Sequence, residues 1–297
     1  MVGKQERRYQ RMITVVLALI SLIMVIPLVL LVVASFTSNN EIVLHGYSFF
    51  PKELSLEAYR YIWNERAQVF HAYGITILVT AIGTTIGVMM TLLYAYVLAH
   101  EKFPGKTFLA FYLFFTMLFN GGLVPTYIMY TRYLHMKNTI PALIIPGLLM
   151  SAFNVILTRT YIQSNVPAVL SGAAKIDGAT EFQVFRKVVL PMCKPIIATV
   201  GLFAGLGYWN DWTNGLYYIT DTNKFSIQQL LNNMIKNIEF LSKNANSNIN
   251  LASVGGGIPQ ETVRMAIAIV GLLPILIVFP FVQKYFVKGI SIGAVKG

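Results

Sequence analysis

The chain has 297 residues, of which 56% are hydrophobic and 12% charged, against about 25% charged in an ordinary soluble domain. That deficit argues against a soluble globular protein and suits one membrane domain with little room for a second. The net charge of +11 lies in loops, not in the basic stripe of a nucleic-acid footprint, so it reads as topology and nucleic acid is not expected as a partner.

Residues 1–11 form a basic tail holding Lys4, Arg7, Arg8 and Arg11. Met12 to Phe36 follows as an apolar run. It is longer than the 7–15 residues of a cleavable signal sequence and reads as an uncleaved first span. Five more runs approach the roughly 20 residues that a bilayer requires, at 72–99, 107–131, 139–162, 195–219 and 262–285. The expected fold is all-α: a polytopic domain over 12–285 with six transmembrane helices. Gly121, Gly122, Pro125, Pro141 and Pro146 interrupt spans three and four. Such breaks are tolerated where backbone is buried in protein or lines a watery cavity.

Lys and Arg are unevenly shared between the two sets of connections. Fourteen fall on the side of the tail, 100–106, 159–194 and the C-terminal end, and eight on the side of 37–71, 132–138 and 220–260. The positive-inside rule then places both termini, the tail 286–297 and the loop 163–194 in the cytoplasm. Loops 37–71 and 220–260 become external and polar enough to be ordered. The second holds Gly255, Gly256, Gly257 and Pro259, and Pro259 with Glu261 suits the start of a helix.

The single cysteine, Cys193, excludes a disulfide framework. The four histidines, His45, His71, His100 and His135, lack ligand-like spacing, so no metal is expected. Gly105-Lys106-Thr107 is not a phosphate loop. That motif needs a glycine five residues before its Gly-Lys pair, after a strand, and His100 stands there behind an apolar span. Neither a Ser/His/Asp set nor a paired carboxylate in a soluble pocket is present, so no catalytic residue is expected.

Segment 166–195 is unusual for a connection. Phe182, Phe185, Val188 and Val189 recur at helical spacing and define one apolar face. Asp177-Gly178 breaks the preceding helix, because glycine enters positive φ cheaply. Thr180 can cap the next helix, with Glu181 in its first turn, and Pro191 and Pro195 end it. The segment reads as a two-helix elbow between spans four and five. Its apolar face suits either lipid headgroups or a groove on a soluble partner.

The pattern Ala173-Ala174-x-x-Asp177-Gly178-Ala179-x5-Phe185-x2-Val188-x-Leu190-Pro191-x3-Pro195 resembles the EAA loop of ATP-binding-cassette importer permeases. Tyr285-Phe-Val-Lys-Gly289 and the closing Val295-Lys296-Gly297 resemble the second permease subunit of the carbohydrate importers. The resemblance covers nearly the whole chain and implies a bacterial inner-membrane subunit. Its implied partners are a second homologous permease, two ATP-binding subunits, an extracytoplasmic solute-binding protein and the bilayer. ATP and magnesium would sit on the ATPase, with no cofactor on this chain. Docking would fall to Ala173, Ala174, Asp177, Gly178, Ala179, Phe182, Phe185, Val188, Leu190 and Pro191. Gly172 stands where the family has a glutamate, and Lys175 and Arg186 are the candidates to take over its contact.

Polar groups within spans default to functional candidates. Here they are Asn120, Asn154 and the cluster Trp209, Asn210, Asp211 and Trp212, with Tyr127 beside them. Rings and amides together suit sugars, whereas the aromatics alone suit an interfacial belt. The resemblance implies an oligosaccharide. It also implies that 220–260 reaches the binding protein, with Asn244, Asn246, Asn248 and Asn250 at its tip. An ion-coupled transporter would need ionisable pairs within the spans, and Asp211 lacks an evident basic partner in the sequence. A permease for a non-sugar solute is the other alternative.

Overall fold

The computed structural model describes residues 4–100, 103–245 and 260–294. Among them no strand occurs, only an isolated bridge between Thr37 and Leu54. The chain clusters into two compact units. One lies within Met1–Val69 and Leu231–Pro274, the other within Phe70–Leu230 and Ile275–Gly297.

The first unit begins with α1 (Lys4–Ser35), whose apolar stretch is exposed along its length. The expected external loop 37–71 holds α2 (Asn39–His45) and α3 (Glu57–Asn64). The Glu41 carboxylate accepts hydrogen bonds from the amides of Lys52 and Glu53, both at 2.6 Å, which holds it below its ordinary pKa. Phe36 stacks on Tyr59 at 4.8 Å, and Tyr59 shares a 2.8 Å hydrogen bond with Ser35. These contacts give the loop the order that its polarity suggested.

α4 (Arg66–Ala99) contains no proline and runs unbroken for 34 residues. α5 (Lys106–Leu118) and α6 (Leu123–Ile128), which extends to Tyr133 through a π turn, meet at 115°. The third expected span is therefore sharply bent, at the interruption that Gly121 and Gly122 mark. Asn120 makes the bend, its side-chain oxygen accepting from the Gly122 amide at 2.8 Å. Gly122 sits at φ 81°, a region open to glycine at little cost.

The fourth expected span is also divided, into α7 (Pro141–Ile144) and α8 (Ala152–Asn165). The 14 residues of α8 rise only about 21 Å, short of the roughly 30 Å hydrocarbon core. Next come α9 (Ala168–Ile176) and α10 (Glu181–Met192), the latter carrying a π turn over Phe185–Val189. α11 (Lys194–Trp209) leaves α10 at 81°, with Pro195 in its first turn. The fifth expected span stops at Trp209 and resumes as α12 (Thr213–Tyr218). α13 (Ile227–Ala245) and α14 (Gln260–Ala294) complete the described helices. By length and apolarity, three described helices can cross a membrane, or five if each bent pair counts as one span.

Two apolar clusters anchor the second unit. One joins Leu92, Ala95 and Leu98 of α4 with Val155 and Ile162 of α8 and Val184, Phe185 and Val189 of α10. The other gathers Leu143, Ile144, Tyr208 and Tyr218. Asn246, Asn248, Asn250, the run Gly255–Gly257, Pro259 and Val295 to Gly297 lie outside the described residues.

Candidate functional site

The elbow forms where the motif predicts a turn. Gly178, at φ 83°, reverses the chain after α9. The Ala179 amide donates back to the Ala174 carbonyl at 2.9 Å. Thr180 then opens α10 with a capping box. Its hydroxyl accepts from the Gln183 amide at 3.3 Å, and the Gln183 side chain accepts from the Thr180 amide at 2.8 Å. Such a cap is worth about 0.5–2 kcal/mol.

The apolar face differs from its expected form. Phe182 is 64% exposed, but Phe185 is only 4% exposed, and Val184 and Val189 are fully buried. The π turn is the reason. It lets Val184 and Val189, five residues apart, point inward together, where a regular helix repeats every 3.6 residues. Burying a Phe side chain is worth about 1.5–3 kcal/mol, so Phe185 belongs to the core and not to the exposed face of the elbow. Ile176, at 88% exposure, Val169, at 79%, and Leu170, at 46%, join Phe182 as large apolar residues that the elbow presents. Ala173, Asp177 and Gly178 are exposed with them, Ala174, Ala179, Val188 and Leu190 are half-buried, and Pro191 is exposed.

Charge is rearranged too. Lys175, expected to be free for a partner, forms an ion pair with Glu181 across the turn. Tyr96 of α4 donates to the same carboxylate at 2.9 Å, and His100 Nε2 stands 3.7 Å away. These contacts, led by that from Lys175, hold the Glu181 carboxyl below its ordinary pKa. Arg186 and Lys187 remain exposed beside Phe182. At Gly172 an added side chain would meet nothing within 4 Å, so sterics do not exclude the family's glutamate.

The far end of α11 serves a different purpose. The break between α7 and α8 strands backbone carbonyls that must be satisfied. Tyr208 donates to the Ile144 carbonyl at 2.9 Å, and Asn214 to that of Pro146 at 2.9 Å. Gln229 donates to the carbonyls of Gly215 at 2.9 Å and Ile219 at 3.3 Å. Asn138, itself at φ 59°, accepts from the amides of Thr220 at 2.6 Å and Asp221 at 3.1 Å. Sequence reasoning marked none of Tyr208, Asn214, Gln229 and Asn138 as a hydrogen-bonding partner of these breaks.

The expected path residues are consequently scattered. Asp211 accepts from the amides of Thr213 and Asn214, at 3.0 and 3.2 Å, and opens α12. Asn210 donates to Leu206, one turn back, at 2.9 Å. Both side chains hydrogen-bond local backbone. Tyr127 stacks on Tyr218 at 5.8 Å, Trp209 lies 6.3 Å from the Tyr73 ring, and Trp212 is 41% exposed. Asn120 caps its bend. Asn154 lines a niche of about 290 Å³ shared with Thr91, Ser151, Phe153 and Phe203. Gly87 borders it, and a Cβ there would lie 2.6 Å from the Leu149 carbonyl oxygen, so the backbones approach only because residue 87 is glycine. No group of three or more metal-ligating side chains occurs among the described residues.

Known proteins are similar to this chain over nearly its whole length. A permease of Bacillus subtilis named for polygalacturonan and rhamnogalacturonan transport, YtcP, is 35% identical over 99% of this chain and all of its own length. AraQ of Halalkalibacterium halodurans, a permease of an arabinooligosaccharide transport system, is 26% identical over 96% of both chains. A chain in the crystal structure of a bacterial ABC transporter for the acidic polysaccharide alginate superposes with a TM-score of 0.75 at 27% identity, covering 96% of this chain and 99% of that one. Residues 83–292 match a family profile that takes in the elbow, the niche and the α11 break. The chain belongs to the family of binding-protein-dependent transport system inner membrane components.

Proposed function

We propose that this chain is one of two homologous permease subunits of an ATP-driven importer of oligosaccharides. In this reading α7 and α8 together make the fourth of six spans, and both termini face the cytoplasm. The elbow docks one of two ATPase subunits that carry ATP and magnesium. An extracytoplasmic binding protein delivers the sugar. ATP-driven closure biases a two-state membrane domain between outward and inward openings.

The observation that carries the docking reading is the placement of Ile176 and Phe182. A connection bound for water does not normally present such residues together unless something covers them. They sit on a capped turn beside Arg186 and Lys187, within the segment that resembles the EAA loop. The niche around Asn154 offers hydroxyls, an amide and two rings, the mixture that hydrogen-bonds and stacks on sugars. The oligosaccharide class is supported by the names of YtcP, AraQ and the alginate transporter.

The test is reconstitution of the whole transporter in proteoliposomes with Phe182→Asp or Ile176→Asp. Both variants should insert normally yet lose ATP-driven uptake and co-purification with the ATPase. Uptake at the wild-type rate in both would remove the docking assignment. Retained co-purification would favour the lipid surface as the occupant. A thermal-shift screen of the cognate binding protein against neutral and acidic oligosaccharides would identify the cargo. A response only to non-sugar solutes would overturn the substrate class.

A further inference from the structure

We propose that Glu181 is a positioning residue that clasps the docking elbow to the end of α4, so that movement of the elbow is carried into that helix. The proposal rests on the docking reading above and adds the route by which a push on the elbow enters the membrane domain.

The geometry is a convergence of three elements on one carboxylate. Lys175 reaches it from α9, and Tyr96 and His100 reach it from α4 and the residue after it. Glu181 itself begins α10. Below the clasp the attachment is apolar. The Tyr96 ring lies 5.2 Å from the Phe185 ring, and Val184, Phe185 and Val189 share a core with Ala95 and Leu98 of α4. The joint between α10 and α4 is thus fixed at two levels, polar at the rim and apolar beneath. Two levels of attachment resist rotation, which one would not.

α9 shows why the clasp matters. None of its residues is fully buried, and its hold on the core is the half-buried Ala174. Its orientation depends on that contact, on the turn at Gly178 and on the pairing of Lys175 with Glu181. Yet α9 carries Val169 and Ile176, two of the three most exposed apolar residues of the elbow. Without Glu181 the docking residues would remain, but their aim relative to α4 would loosen.

The clasp is not there for stability. The Lys175 and Glu181 side chains are 41% and 60% exposed, and such surface pairs contribute little to folding. Covering by a docked ATPase would exclude water and strengthen the same contacts, tightening the joint when force passes through it.

The experiment uses the reconstituted transporter with Glu181→Ala, Lys175→Ala and Tyr96→Phe. The variants should assemble with the ATPase and melt close to the wild type. Sugar imported per ATP hydrolysed should fall several-fold for Glu181→Ala and less for Tyr96→Phe. The double exchange Lys175→Glu with Glu181→Lys should restore part of the ratio. An unchanged ratio in Glu181→Ala, while Phe182→Asp stops transport, would overturn the clasp and leave docking intact. Wild-type transport in both Phe182→Asp and Ile176→Asp would overturn docking itself. A loss of uptake matched by a large fall in melting temperature would also overturn the proposal, because the residue would then be merely structural.

Discussion

The two ends of α11 are built on opposite plans. At its start the chain presents apolar side chains to the outside and holds a capped turn with a few exposed polar contacts. At its finish almost every polar side chain is spent on a backbone group of the same unit. Tyr208, Asn214 and Gln229 close carbonyls that broken helices leave open. A solvent-facing turn can leave its apolar side chains uncovered, whereas a helix break inside a membrane domain must consume its polar ones.

Substitutions can break this contrast. The largest effect is expected from Phe182→Asp, with ATP-driven uptake reduced more than about tenfold and little change in melting, since the ring is exposed. Gln229→Ala should do the reverse. It strips donors from two buried carbonyls, each costing about 1–3 kcal/mol when left unsatisfied, and a melting curve of the detergent-solubilised protein should fall accordingly. Gly87→Ala forces a methyl group against the Leu149 carbonyl, for about 1–3 kcal/mol of overpacking. The same melting assay measures it, and no loss would mean that the niche wall yields. Thr180→Ala should cost about 1 kcal/mol and speed amide exchange in α10 alone. The smallest effect is a gain. Gly172→Glu points into open space and removes a helical glycine, for about 0.5–1 kcal/mol of stabilisation.

Acidity offers a separate probe of the elbow. The Glu181 pKa is lowered in the folded chain from an ordinary value of 4.5. Its contribution is therefore fully present above that value and fades as pH falls through the lowered one. The protection of α9 amides, taken relative to their intrinsic exchange rates, should fall as pH drops below about 4.5, and Glu181→Gln should remove that fall.

How much of this could be read from the residues depended on the range of the interaction. The turn at Asp177-Gly178 and the Thr180 cap are local, and the sequence shows them directly. The facing of Phe185 was not readable, because a 3.6-residue period does not anticipate a π turn. The pairing of Lys175 with Glu181 spans six residues across a reversal, beyond the i,i+4 rule for a single helix. The aromatic and amide cluster at 208–214 looked like a sugar site because its composition is right for one. The carbonyls that Tyr208 and Asn214 serve lie 64 and 68 residues earlier, where only tertiary structure brings them into reach. Asn120 and Asn154 stood out because a lone amide in an apolar span is costly, whatever its neighbours.

The wide turn at Phe185–Val189 has a further consequence for the length of the chain. Such a turn accommodates one surplus residue without rotating the helix on either side. Deleting Arg186 or Lys187 would let the hydrogen-bond ladder close as an ordinary α-helix, with Phe182 and Leu190 still facing as they do now. Val184, Phe185 and the valine that follows would then fall at plain i, i+1 and i+4 spacing on the buried side. The elbow should therefore survive the loss of one residue where most amphipathic helices, turned by about 100° per residue, would not.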